Sequence, residues 1–150
     1  MKRKTSSSSA SIFHYHLFNG SLFFILALVF IYSIIYKAGE NAHPLPSVYT
    51  WLTGLESPGT GLSRAFSEIV RGNFDKANSF NPHAEGVFFF FLYLSLSRIG
   101  ISIFLETNKR KPTVKSINQT VTIDGIVALA LFAWTFFPFI TWFLRVATAI

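Results

Sequence analysis

No cysteine occurs anywhere in this chain of 150 residues. That excludes disulfides, thiolate metal sites and thiol nucleophiles, and leaves redox chemistry silent about compartment. Charge is the second scarcity. Only 13% of residues are Asp, Glu, Lys or Arg, about half the ~25% usual in soluble domains. A soluble fold of this size could not cover its surface with so few. The seven acidic residues form no paired-carboxylate cluster. There is no H-E-x-x-H, no Ser-His-Asp order suited to catalysis and no nucleotide-binding glycine loop. The reading therefore leans away from an enzyme.

What the chain has in quantity is apolar bulk. Hydrophobic residues make up 51%, Phe alone accounts for 18 positions, and mean hydropathy is +0.43. The class this implies is an all-α integral membrane protein with a single domain and the lipid bilayer as its first partner. The net charge of +6 and pI near 9.8 would suit nucleic acid. The basic residues, however, sit beside the apolar runs, where a positive-inside bias accounts for them and no nucleic-acid partner is implied.

Three runs are long enough to span. Leu17 to Tyr36 supplies 20 residues, matching a hydrocarbon core of ~30 Å at about 1.5 Å per residue. A secretory signal peptide is the rival reading, given Lys2, Arg3 and Lys4 ahead of it. The run exceeds the h-region length, and no A-x-A-like site follows, so a retained anchor is favoured. Val87 to Leu105 is the second run, with Asn81 placed to cap and Pro82 to start its helix. Ile123 to Leu144 is the third, with a kink expected at Pro138 and Trp142 where an interfacial belt would lie. Gly100 and Ser95–Ser97 offer small surfaces for close helix approach.

The domain then divides into a basic, Ser-rich and disordered tail over 1–16, spans over 17–36, 86–105 and 123–144, an outer loop over 37–85 and an inner basic loop over 106–122. Lys2, Arg3 and Lys4 fall on the same side as Lys109, Arg110, Lys111 and Lys115. The expected orientation is N-terminus inside and C-terminus outside. The outer loop is too long to be structureless. "AHPLPSVYTWLT", from Ala42, reads as extended chain along the membrane surface. "LSRAFSEIVR", from Leu62, has apolar residues at helical spacing and predicts an interfacial helix that Gly72 ends. Asn73 is placed to cap a further short helix over "FDKANSF".

The stretch "SPGTGLSRAFSEIVRGNFDKANSFNP" resembles a bacterial membrane family, the domain of unknown function 2752. The resemblance runs through Pro58, Gly59, Gly61, Leu62, Ser63, Arg64 and Ala65, then Gly72, Asn73, Ala77, Asn81 and Pro82. It implies an architecture and no reaction. Where the family places two cysteines, this chain has Ser57 and Thr60, which cannot form a disulfide and are poor zinc ligands.

Two groups of residues stand out as candidate sites. The first is the corner formed by Ser57, Pro58, Gly59, Thr60, Gly61 and Arg64. Pro58–Gly59 suits a type II turn with Ser57 or Thr60 capping nearby donors. Arg64 is read as a clamp on carbonyls of the 37–61 segment, or as a partner of Glu68 or of a lipid phosphate. The second is an Arg98–Asp124 pair between spans, with snorkelling of Arg98 as the competing account. No metal, haem or other cofactor is expected from the scattered His14, His16, His43 and His83; a bound lipid is the one ligand class the corner would take. The sequons at Asn19 and Asn118 read as inert. These observations favour a non-catalytic accessory or assembly-stabilising subunit, packing against other integral membrane subunits of a respiratory or photosynthetic type of complex. The rival is a membrane enzyme or lipid-headgroup-binding protein using the Pro58–Arg64 corner. A transporter component is a more distant third.

Overall fold

The three apolar runs become three long helices. The computed structural model describes the backbone of residues 4–39, 57–107 and 114–148, and side chains over 16–39, 57–104 and 119–148. Helix α1 runs Lys4–Ile35, α2 Leu62–Ile69, α3 Phe74–Phe80, α4 Ala84–Thr107 and α5 Val114–Thr148. Within α1, α4 and α5, the stretches His16–Ile35, Ala84–Phe104 and Gln119–Thr148 are long and apolar enough to cross a membrane. The first two have 20 and 21 residues, about 30 Å of helix; the third has 30, about 45 Å, and must tilt or project. The expected class is borne out: an all-α protein with three candidate spans and a helical insert between the first and second.

Two boundaries differ from the sequence reading. The Ser-rich segment is not a disordered tail, since α1 begins at Lys4. Extending an existing helix avoids the unfavourable nucleation step, and Ser is only a moderately poor helix residue. The inner loop is also shorter than 106–122, because α4 reaches Thr107 and α5 starts at Val114. No Gly or Pro lies between Val114 and Asp124, so nothing there stops the third helix from starting early. The extended segment expected over 42–53, with His43, lies outside the described residues. Further along, α5 continues through Pro138, which leaves the Trp134 carbonyl without its usual helical donor. The Thr141 hydroxyl donates to the Pro138 carbonyl at 3.0 Å.

Helix α4 is the central element. It packs on α1, α5, α2 and α3, while α1 and α5 make no close backbone approach to each other among the described residues. Its phenylalanines explain how one helix serves several neighbours. Phe88 receives Phe30 of α1 and Phe66 of α2 edge-on, with centroids at 5.2 and 5.4 Å. Phe90, about 200° further round the helix, meets Phe132 and Phe136 of α5. Such edge-to-face pairs add to the area they bury. Ala65, Ala77 and Ala84 are fully buried in the same core, beside Phe66, Ile69 and Val87, and their small size lets the insert lie against α4. Close approach of α4 and α5 occurs at Gly86, where an added Cβ would lie 3.7 Å from Thr135 Cγ2. Gly100, expected to serve this way, has open space around it.

Candidate functional site

The corner is built from consecutive tight hydrogen bonds. The Thr60 N–H donates to the Ser57 carbonyl at 2.9 Å, and the Leu62 N–H to the Gly59 carbonyl at 3.2 Å. The Ser57 N–H donates to the Thr60 hydroxyl at 3.1 Å. A turn therefore does sit at Pro58–Gly59, but it is not type II. That type needs positive φ at Gly59, and the positive-φ residues among those described are Gly61, at 82°, and Gly72, at 79°. Gly61 is glycine for a second reason: a Cβ there would overlap the Phe80 carbonyl oxygen, far inside van der Waals contact. Gly72 ends α2 as the spacing predicts, with its N–H on the Ile69 carbonyl.

The residue that closes the corner is Asn81. It is 4% exposed, and its Nδ2 donates to the Pro58 and Thr60 carbonyls at 2.7 and 2.8 Å. Its Oδ1 accepts the His83 N–H at 2.8 Å, which is the capping part of its expected role. The bridge back to the corner is a role the sequence did not signal.

Arg64 makes no contact with Glu68, and most of the 37–61 segment expected to receive its clamp lies outside the described residues. Its guanidinium lies over the Phe80 ring, 5.7 Å from the centroid, and the side chain is exposed. Glu68, its i+4 neighbour, instead accepts from Asn73 Nδ2 at 2.9 Å and Lys76 Nζ at 3.1 Å. Asn73 thereby serves Glu68 and does not cap α3 with its side chain. The hydrogen bond from Asn73, aided by Lys76 and Arg71, holds the buried Glu68 carboxyl below its ordinary range despite burial. A different arginine, Arg71, binds carbonyls at the end of α1. Its Nη1 donates to Ser33 O at 3.2 Å and also to Ser67 O, and its Nη2 donates to Ile34 O at 2.8 Å. The last carbonyls of α1 lack helical donors, and a cation at that negative helix end is favourable.

Within the spans a second polar group forms. Arg98 Nη2 of α4 lies 2.5 Å from Asp124 Oδ2 of α5, with the two side chains 12% and 8% exposed. Arg98 Nη1 approaches Asn19 Oδ1 of α1 at 3.4 Å, and the Tyr93 hydroxyl approaches Asp124 Oδ1 at 3.5 Å. Buried Asn19, set aside in the sequence as an inert sequon, is thus the point where α1 joins the pair. The available signal was its amide within an apolar run, which has to find a partner. Among the described residues no three His or carboxylate side chains gather as a metal site would require. The Ser95 and Ser97 hydroxyls turn back to carbonyls of their own helix.

Three membrane-length helices tied by buried polar contacts and a packed helical insert define an α-helical integral membrane protein. Residues 48–95, about a third of the chain, match the family described as protein of unknown function (DUF2752). The match takes in the corner, α2, α3 and the first half of α4, and includes the whole of the stretch from Ser57 to Pro82. No curated protein and no solved structure matches the chain.

Proposed function

We propose that this protein is a non-catalytic subunit of a larger integral-membrane assembly in a bacterial cytoplasmic membrane, with its N-terminus inside and its C-terminus outside. The observation that carries the reading is the isolation of α5. Along 119–148 only Asp124 is buried, and α4 is the one described helix against which α5 packs. Its outward residues include Trp134 at 83% and Phe137 at 64% exposure. Packing against a further helix would give these aromatic side chains van der Waals and ring contacts that α4 does not supply. The exposed apolar rows of α1 serve equally well against lipid.

The test is purification of the full chain in mild detergent with native mass measurement. Recovery with other membrane proteins in fixed stoichiometry is expected, lost when Trp134 and Phe137 are both changed to Ala while the chain stays helical. A lone monomer would overturn the reading. Because the chain has no cysteine, the single substitutions Ser79→Cys and Ser6→Cys report the orientation by accessibility to an impermeant thiol reagent. Labelling of the Ser79→Cys variant from outside is expected, and labelling of the Ser6→Cys variant from outside reverses the assignment.

A further inference from the structure

A cavity of about 460 Å³ opens between the corner and the start of α4. Ser57, Thr60 and Arg64 line one side of it, and Ser79, Phe80 and His83 the other. Among the described residues that line it, Arg64 brings the one formal charge and none is a carboxylate. Glu68, the nearest acid by helical spacing, is held by Asn73 and Lys76, so Arg64 has no carboxylate partner among the described residues. The Phe80 ring beneath the guanidinium supports it in place. Two carbonyl acceptors of the corner, those of Pro58 and Thr60, are turned to Asn81 Nδ2. The cavity is thereby weighted toward donors: the guanidinium fork, the His83 ring and two hydroxyls. Its place is equally telling. The membrane-length stretch of α4 begins at Ala84, the residue after His83, which puts the cavity at one end of that stretch, where a headgroup layer would meet it.

We propose that this cavity binds a phosphate group, with Arg64 as the charged anchor and Ser57, Thr60 and His83 as neighbouring donors. Planar guanidinium groups bind tetrahedral oxyanions through paired, charge-assisted hydrogen bonds. A phospholipid headgroup and soluble phosphate present the same chemistry. The proposal is independent of whether the protein is a subunit of an assembly.

The experiment uses the full chain in neutral-detergent micelles doped with dioleoylphosphatidylglycerol or with dioleoylglycerol, which lacks the phosphate. Retained lipid is counted by native mass spectrometry. Wild type is expected to retain the phospholipid and to release dioleoylglycerol. Arg64→Gln lowers phospholipid retention about tenfold, and Arg64→Lys, which keeps the charge without the fork, falls between. Millimolar inorganic phosphate that displaces the phospholipid identifies soluble phosphate as the ligand; failure to displace it identifies the headgroup. Equal phospholipid retention by wild type and Arg64→Gln overturns the proposal, as does equal retention of the two lipids by wild type. Circular dichroism checks the fold of Arg64→Gln. If that variant is unfolded, His83→Gln decides the matter, and unchanged retention there counts against the proposal.

Discussion

At the corner, Arg64 stands exposed over an aromatic ring while an uncharged amide, Asn81, holds the backbone together. Inside the spans the arrangement is reversed: Arg98 is 12% exposed and meets the carboxylate of Asp124 directly. The difference follows from the surroundings of each charge. Near the aqueous edge a guanidinium needs no protein partner, because water and headgroups solvate it, so its donors remain open to a ligand. In an apolar span, a charge without a counter-ion is costly, so Arg98 is committed to Asp124 and Asn19. Among the described residues Arg64, outside the spans, has no carboxylate partner, whereas Arg98, within one, is paired with Asp124.

The largest break in this comparison comes from removing one member of the buried pair. Arg98→Met leaves Asp124 uncompensated and is expected to cost about 3–5 kcal/mol, read as a lowered thermal unfolding midpoint in detergent. Arg98→Met combined with Asp124→Leu should return to within about 1 kcal/mol of wild type. If the double variant is as unstable as the single one, Arg98 is not held mainly by Asp124.

A somewhat smaller effect separates the two positive-φ glycines. Gly72→Ala meets open space and carries only the left-handed backbone penalty, about 1–2 kcal/mol. Gly61→Ala carries the same penalty and drives a methyl into the Phe80 carbonyl, for a total of about 2–5 kcal/mol. The two variants compared by thermal unfolding isolate the clash from the strain. Equal midpoints would mean that the corner gives way freely at the Phe80 carbonyl.

The smallest effect is a pH dependence at Glu68. Its folded pKa is depressed, chiefly by Asn73. Its contribution is therefore complete above the ordinary value of 4.5 and is lost as pH falls through the lower folded value. Lys76 is 59% exposed and adds little through its charge. A loss of about 1 kcal/mol is expected on acidification, absent from the wild-type minus Glu68→Gln difference at the acid limit. Hydrogen exchange of α2 amides against pH measures it.

How much of this was legible in the sequence depended on the range of each interaction. The spans, the α2 periodicity and the Gly72 stop are local patterns, and residues close in sequence carry them. Arg98 and Asp124 were suspected as a pair because each is an exception within or beside an apolar run. Arg71 bonds to carbonyls 37 and 38 residues away, and Asn81 to carbonyls 21 and 23 away. No periodicity marks such contacts, so neither the bonds of Arg71 to α1 nor those of Asn81 to the corner could be anticipated. The turn type was missed for a related reason. Gly59 and Gly61 are equally permissive as residues, so the sequence does not say which takes positive φ, and the approach of the Phe80 carbonyl to Gly61 is a long-range contact that it does not mark either.

Arg71 also sets an order of events during synthesis. The Ser33 carbonyl that it caps leaves the ribosome 38 residues before it, a delay of about 2–8 s at roughly 5–20 residues per second. Through that interval the end of α1 has its last carbonyls served by water or headgroups. The seam between α1 and the insert is therefore closed only once the chain has been made through Arg71.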